Sequence, residues 1–330
     1  MIAPSRRLVA SCLLMVIAAL LLAAWGLRSG TVMLTFTQVF DALSGAAPRA
    51  MQLVVMEWRL PRVLMALVVG AALGVSGAIF QSLMRNPLGS PDVMGFNTGA
   101  WSGVLVAMVL FGQHLTAIAL AAMAGGILTS LLVWLLAWRN GIETFRLIIV
   151  GIGVRAMLVA FNTWLLLKAS LETALSAGLW NAGSLNGLTW AKTLPSVPIM
   201  LAMFFFAALL ARRMRLLEMG DDSACALGVN VERSRLLLML VAVALTAAAT
   251  ALAGPISFIA LVAPHIARRL SGTARWGLTQ SALCGALLLL LADMIAQRGF
   301  TPYQLPVGVV TVSLGGIYLI ALLIQESRKK

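Results

Sequence analysis

The chain has 330 residues, of which 61% are hydrophobic and only 11% are charged. Soluble domains carry roughly 25% charged residues, so this composition excludes an ordinary soluble protein and predicts a chain whose solvent is the lipid bilayer. The net charge of +13 would suit a nucleic-acid-binding protein, but the Lys and Arg residues lie between apolar runs, where they set membrane topology instead. Cys12, Cys225 and Cys284 lie far apart without metal-ligand spacing, so we expect no disulfide framework, no metal site and no cofactor.

Apolar runs long enough to cross a bilayer, which takes about 20 residues in a helix, recur along the whole sequence. Nine of them lie at 8–27, 63–84, 93–111, 115–138, 147–167, 194–211, 236–253, 277–296 and 305–325. The run that begins at 236 continues past 253 through Gly254-Pro255, and because proline interrupts a helix we expect a short tenth span at about 255–267. The sequence therefore predicts an all-α polytopic membrane protein with about ten transmembrane helices in a single domain over residues 1–330.

The distribution of basic residues predicts the orientation of these spans. Both ends of the sequence are basic, at 6–7 and at 328–330, so both are expected to be cytoplasmic. With ten spans, sixteen Lys and Arg residues fall inside, seven fall outside and Arg155 lies within a span. The run at 8–27 could be a cleaved signal peptide, but it is about 20 residues long and no clear cleavage site follows it. We therefore expect an uncleaved first helix.

Glycines spaced four apart mark faces where helices can approach closely. They occur as Gly70 and Gly74 in the second span, and as Gly95, Gly99 and Gly103 in the third. On a helix this spacing produces a smooth groove that accepts a neighbouring backbone. We expect dense packing within the bundle; the alternative is that some of these faces line a substrate path or a subunit interface.

A polar insert at 212–235 interrupts the apolar sequence with five arginines and four carboxylates. A glycine ends the preceding helix, two aspartates favour a helix start, and a second glycine favours its end. Asn230 then caps a further helix, so we expect two short helices at an angle on the cytoplasmic side, where they would fit another protein's groove. An ordinary long loop is the alternative. The residues of this candidate docking site are Gly220, Asp221, Asp222, Ala224, Cys225, Leu227 and Gly228.

The second half of this insert, MGDDSACALGVNVERSR at 219–235, resembles the coupling loop of the iron-siderophore and vitamin B12 (FecCD-type) permease family of bacterial ABC importers. The resemblance extends over essentially the whole chain. It includes RLPRVLMALVVGAALGVSGAIFQSLMRNPLGSPDVMGFNTGA at 59–100, FRLIIVGIGV at 145–154, LAGPISFIALVAPHIARRL at 252–270, and LLLADMIAQ with QLPVGVV within 289–310. The family also has ten spans.

The resemblance implies the permease subunit of an ATP-driven importer in the bacterial inner membrane, with a ferric siderophore, and ferric enterobactin in particular, as its cargo. The implied partners are two copies of a cytoplasmic ATP-binding subunit docked on 220–229, a related permease subunit and a periplasmic siderophore-binding protein. The sequence itself contains no GxxxxGK[ST], since none of its four lysines (168, 192, 329 and 330) follows a glycine. We therefore expect no enzymatic activity in this chain, and ATP hydrolysis in a separate subunit.

Three arginines lie on the predicted outer side of the membrane, where positive charge is unusual: Arg59, Arg62 and Arg298. In the resembled family, arginines at matching positions pair with carboxylates on the periplasmic binding protein. The resemblance therefore implies that they dock this partner, because exposed pairs of this kind steer and orient association. The alternative is that the arginine heads reach the lipid headgroups while their stems stay in the bilayer.

Charges inside the predicted spans require a partner or a wet cavity. Arg155 lies about nine residues into the span 147–167, roughly 13 Å deep, where it either lines the path of an anionic ferric complex or pairs with a carbonyl or carboxylate. Asp293 is expected to form a structural ion pair or hydrogen bond. Thr144 falls near the position of the family's gate, although Phe145 follows it where a small polar residue is expected. His265 after Pro264 is interpreted as a packing feature and not as a metal ligand.

Two other classes of protein remain as alternatives. An intramembrane serine protease could use Ser76 in GVSG at 74–77 as nucleophile with His265 as base, although this motif arises easily in a glycine-rich span. An ion-coupled secondary transporter would need a coupling carboxylate near the midplane and inverted repeats. Asp293 is the single candidate for that carboxylate, and we see no convincing internal repeat.

Overall fold

The computed structural model describes residues 6–30, 32–112, 114–138, 144–273, 276–300 and 302–327. Within these ranges the chain forms fifteen α-helices. In chain order, as α1 to α15, they are Arg6–Arg28, Phe36–Ser44, Arg49–Gln52, Leu60–Met84, Phe96–Phe111, Leu115–Ala137, Thr144–Lys168, Leu171–Asn181, Trp190–Thr193, Ser196–Glu218, Asp221–Ala226, Val231–Ala253, Ile259–Ser271, Leu278–Arg298 and Val307–Ser327.

Each of the ten predicted spans coincides with one of these helices, which confirms the all-helical polytopic fold. Seven helices are long and apolar enough to cross a membrane: α1, the continuous helix that ends in α4, α6, α7, α10, α12 and α14. Phe96–Phe111 and Val307–Leu322 are shorter apolar helices, and α13 has only 13 residues. Helix length and composition therefore identify seven of the ten predicted spans. The helices at the other three spans, α5, α13 and α15, are shorter.

The helix that contains the second predicted span begins earlier than its apolar run. Arg49–Met84 is continuous over 36 residues, and a π-helical stretch at Leu53–Arg59 joins α3 to α4. Wider helical turns of this kind are frequent at functional sites. This stretch brings Arg59 to the start of α4, and the predicted span at 63–84 lies entirely in α4.

Helix α4 lies at the centre of the bundle, where its glycines remove the steric barrier to its neighbours. A Cβ atom on Gly70 would overlap the carbonyl of Gly285 in α14, and one on Gly74 would overlap the carbonyl of Ser281. In α5, Gly99 and Gly103 meet α6 in the same way. The predicted close packing within the bundle is therefore confirmed for these pairs. Gly95 differs, because it precedes α5 with a φ of +70° instead of lying on the packing face.

The predicted interruption of the seventh span is confirmed. Helix α12 ends at Ala253, Gly254 follows with a φ of +70°, and α13 begins only at Ile259. Phe258, which precedes α13, also has a φ of +70°, a conformation that a bulky side chain rarely adopts. The chain thus crosses part of the bundle as irregular backbone between residues 254 and 258.

Candidate functional site

The polar insert forms a compact loop between two long helices. Helix α10 ends at Glu218, the short helix α11 covers Asp221–Ala226, and α12 begins at Val231. Gly220 and Gly228 bracket α11 with φ values of +114° and +78°, which L-residues rarely adopt. The Asn230 side chain accepts a hydrogen bond from the Arg233 backbone N–H, as a helix cap does. The predicted helix boundaries are therefore confirmed.

The expectation of two short helices at an angle is wrong in one respect. Only α11 is short, because the helix that Asn230 caps runs on without a break as α12 to Ala253. Apolar residues begin directly after Arg235, so nothing in that sequence interrupts the helical hydrogen bonds.

An ion-pair network fixes α11 to the membrane helices. The Asp221 carboxylate accepts hydrogen bonds from the guanidinium of Arg85, at 2.7 Å, and from that of Arg235, at 2.9 and 3.0 Å. Arg85 follows α4 and also donates to the carbonyl of Leu217 at 3.0 Å. The sequence suggested a capping role for this carboxylate; in the structure it links α11 to α4 and α12 instead. The Asp221 carboxylate thus connects α11 to the end of α4 and to the first turns of α12.

Several side chains of α11 and of the turn that follows it are exposed. Cys225 and Leu227 are exposed, and the Leu227 side chain is 59% accessible. Asp222 is exposed as well. Ala224 is not one of them, because it is fully buried against the rest of the chain and packs in the core.

On the predicted outer side, Arg59 is held by backbone carbonyls. Its guanidinium donates to the carbonyls of Leu27, Arg28 and Val32, at 2.8, 2.9 and 2.6 Å. These bonds tie the end of α1 to the π-helical stretch. The positive charge of Arg59 is not neutralised by them, because carbonyl groups carry no net charge.

Arg62 lies one turn further along and forms a bidentate ion pair with Asp293 of α14. Its Nε and Nη2 atoms lie 2.9 and 2.8 Å from the two carboxylate oxygens, and the Gln297 side chain donates to the same carboxylate at 2.7 Å. Arg298 interacts electrostatically with both members of the pair. The expected structural ion pair of Asp293 is thus present. Its partner is one of the arginines that the sequence assigned to docking.

Arg155 lines two neighbouring cavities of about 590 and 450 Å³. It lies eleven residues after the start of α7, about 17 Å along the helix and therefore near the middle of the roughly 30 Å hydrocarbon core. Its side chain is exposed on the surface of this chain. Asn97, Thr98 and Ser257 line both cavities as well. The structure therefore places the intramembrane arginine in a cavity whose wall mixes apolar side chains with several polar ones.

The carboxylate beside this arginine, Asp92, was not among the residues predicted from the sequence. Asp92 lies in a 3₁₀-helical turn, Pro91–Met94, lines the smaller cavity, accepts a hydrogen bond from the Asn97 side chain and interacts electrostatically with Arg155. The second irregular segment, 254–258, also contributes to the cavities through Pro255, Ser257 and Phe258. Irregular backbone is tolerated at this depth where it is buried in protein or lines a water-filled cavity. In the sequence, the prolines at 91 and 255 were the signal for irregular backbone in these two segments.

The residues of the protease alternative have different partners. The Ser76 hydroxyl is completely buried, donates to the Ala242 carbonyl at 2.8 Å and lies 2.8 Å from the Thr246 hydroxyl. It therefore joins α4 to α12. Nδ1 of His265 contacts the Tyr318 hydroxyl of α15. Thr144, the candidate gate residue, is the first residue of α7, and its side chain lies outside the described part of the structure.

Comparison with known proteins agrees with this architecture. A sequence profile of the FecCD transport family matches residues 14–325. The ferric enterobactin transport system permease protein FepG of Escherichia coli (strain K12) is 83% identical over 330 residues, covering 100% of both chains. The achromobactin transport system permease protein CbrC of Dickeya dadantii (strain 3937) is 38% identical over 319 residues, covering 96% of this chain and 91% of that protein.

A solved structure also matches along nearly the whole chain. It is described as an inward-facing conformation of a metal-chelate type ABC transporter, and the TM-score is 0.82 at 27% sequence identity. The match covers 96% of this chain and 99% of that one. The profile match over most of the sequence and the full-length relatives confirm the family resemblance: the chain belongs to the FecCD transport family.

Proposed function

We propose that this chain is a transmembrane permease subunit of an ATP-driven importer that moves a ferric siderophore, ferric enterobactin, across the bacterial inner membrane into the cytoplasm. The observation that carries this proposal is the 83% identity over the full length to a permease of a ferric enterobactin transport system. The chain supplies part of the path and no covalent chemistry.

The path is formed around Arg155. A charged side chain that faces lipid at the middle of the bilayer is costly, yet Arg155 is exposed on the surface of this chain. A second, related permease subunit that covers α7 would convert the open cavities into an enclosed polar path. The guanidinium then faces an anionic ferric catecholate as it passes.

The loop around α11 couples conformational changes of the ATP-binding subunits to the membrane helices. A small exposed face with Leu227 at its end fits a groove on each such subunit, and Gly220 and Gly228 allow α11 to turn away from the helices beside it. Two copies are needed, one for each permease subunit. Because Asp221 is bound to Arg85 and Arg235, movement of the docked subunit acts on α4 and α12.

A periplasmic siderophore-binding protein docks at the outer arginines. Arg62 and Arg298 interact with the buried carboxylate of Asp293, and Arg59 interacts electrostatically with Arg298, so among these four described residues positive charge is in excess. This charge attracts carboxylates on the binding protein and orients it over the path. Arg62 acts mainly as a positioning residue that holds α4 and α14 together, because its guanidinium is already bound to both oxygens of the Asp293 carboxylate.

Uptake of radiolabelled iron by cells that lack this chain tests the proposal. The iron is supplied on a panel of catecholate and hydroxamate siderophores, with labelled cobalamin as a further substrate. We expect selective loss of uptake from ferric enterobactin, restored by the intact gene. In spheroplasts, where only the inner membrane has to be crossed, the restored uptake should persist when the proton gradient alone is collapsed. Loss of a different substrate would contradict the cargo, and dependence on the proton gradient instead of ATP would contradict the energy source.

A further inference from the structure

A groove on the surface of the chain is separate from the cavities around Arg155. It has a volume of about 720 Å³ and lies between the antiparallel helices α10 and α12, with Ile127 of α6 also in its wall. Its lining is apolar except at one end, where Arg213 of α10 and Arg233 of α12 lie. The groove thus combines a long apolar surface with a cationic end.

The length of the groove corresponds to one leaflet of a bilayer. Along α10 it extends from Met203 to Arg213, about 15 Å of helix, and along α12 from Arg233 to Ala244, about 17 Å. Half of the hydrocarbon core is also about 15 Å. Because both arginines flank the α11 loop, they lie at the side of the membrane that the Lys and Arg distribution predicts to be cytoplasmic.

The two arginines at the end of the groove are available to a ligand. In the described part of the chain, neither guanidinium has a carboxylate or carbonyl partner, whereas the nearby Arg85 and Arg235 are bound to Asp221. Both Arg213 and Arg233 are exposed. Two unneutralised guanidiniums at headgroup depth suit a phosphate, which arginine binds through paired N–H donors.

We propose that this groove binds an anionic phospholipid of the cytoplasmic leaflet. Its phosphate lies between Arg213 and Arg233, and one acyl chain follows the apolar surface between α10 and α12. Phe206, Leu209 and Leu240 line the groove and are 46%, 59% and 48% exposed, as expected where lipid is the natural solvent. The lipid bridges the two helices on either side of the α11 loop and so limits their separation.

The test uses the full chain in its assembled complex, purified in a mild detergent and examined by native mass spectrometry. Three probes are added: phosphatidylglycerol, phosphatidylcholine with the same acyl chains, and glycerol 3-phosphate. We expect preferential retention of phosphatidylglycerol, because the arginines favour the net negative headgroup and the groove requires an acyl chain.

Charge and groove shape are tested separately by substitution. Since a basic residue contributes roughly a fivefold gain in affinity for an anionic lipid, Arg213→Gln with Arg233→Gln should weaken phosphatidylglycerol binding roughly 30-fold. Arg212→Gln with Arg215→Gln is the matched control, because these exposed arginines of α10 line a different cavity; it should leave this binding unchanged. Ala244→Phe, at the apolar end, should weaken binding of phosphatidylglycerol without any change in charge.

Several results would overturn the proposal. Equal retention of phosphatidylcholine would show that the groove has no preference for charge, and equal binding of glycerol 3-phosphate would indicate a site for soluble anions. Equal losses in the test and control variants would assign the effect to general surface charge. Retention by the isolated chain but not by the complex would show that a protein subunit covers the groove.

Discussion

Arg62 of α4 and Asp293 of α14, which are 231 residues apart in the sequence, form a bidentate ion pair near the outer end of the bundle. The side chains are only 15% and 2% exposed, so the pair is largely removed from water. The same two helices approach through Gly70, Gly74 and Gly285 deeper in the bundle. The ion pair therefore restricts the rotation of α14 about α4 close to Arg298.

Replacing only Arg62 should destabilise the protein more than replacing both members of the pair. Arg62→Met leaves the buried Asp293 carboxylate without its main partner, a change that typically costs about 3–5 kcal/mol. In Arg62→Met with Asp293→Leu no such charge remains, so part of the loss should be recovered. Thermal unfolding of the purified chain in detergent measures both. Arg49→Met, an exposed arginine of α3, is the control and should change stability little. A double variant that is no more stable than Arg62→Met would contradict the interaction.

The conformation of Gly220 predicts a defect in coupling that leaves the amount of protein unchanged. With φ +114° and ψ 153°, the residue lies in a region that is essentially restricted to glycine, so Gly220→Ala strains the chain by about 1–3 kcal/mol. We expect α11 to be displaced and ATP-dependent uptake to fall severalfold, while membrane insertion, which depends on the apolar spans, is retained. Gly178→Ala in α8 is the control, because no atom lies within 4 Å of the added Cβ. Equal uptake by the two variants would exclude a role for this loop geometry.

The outer cluster predicts a charge-dependent association rate. Arg298→Gln removes one positive charge near Arg62 and Asp293, so the loaded binding protein should associate with the complex roughly tenfold more slowly at low salt. The difference should shrink as ionic strength rises, because the screening length falls to about 8 Å at physiological salt. Surface plasmon resonance with the complex in nanodiscs gives the rates. Arg49→Gln is the control, because it removes one positive charge outside the cluster. An equal decrease in association rate for this variant would show that Arg298 acts only through general surface charge.

The helices of this fold could be predicted from the sequence because each depends on local properties. Bilayer thickness sets the length of the apolar runs, and Gly220, Gly228, Asn230 and Gly254 end or cap helices through their own backbone chemistry. The continuation of the second span back to Arg49 was not predictable in this way. Charged residues at 49, 57 and 59 interrupt the apolar sequence before the predicted span. The helix nevertheless extends back through them by way of its π-helical stretch.

The partners of the charged residues depend on how distant helices are rotated about one another, which no local pattern specifies. Arg62 and Asp293 were each recognised, but as a docking residue and a structural residue without a connection between them. Asp92 was missed because it adjoins the run assigned to the third span. In the structure a 3₁₀ turn directs it to the cavity beside Arg155. Charged residues in this chain are therefore located reliably from the sequence, whereas their pairing requires the fold.

The electrostatic interaction of Asp92 with Arg155 predicts an experiment that separates a structural role of the arginine from contact with the cargo. Arg155→Met alone leaves a carboxylate at mid-membrane depth without its nearby positive charge, so both the amount of folded protein and uptake should fall. Arg155→Met with Asp92→Asn removes both charges and preserves the possible hydrogen bond to Asn97, so the amount of protein should recover.

Uptake of the ferric siderophore is the deciding measurement in that double variant. If the Arg155 guanidinium interacts with the anionic cargo, uptake should stay at least tenfold below that of the unmodified chain even though the protein level is restored. Arg155→Lys with native Asp92 retains a positive charge and should recover part of the transport. Full uptake in the double variant would contradict a role in the path, because neutralising Asp92 would then account for the whole function of Arg155.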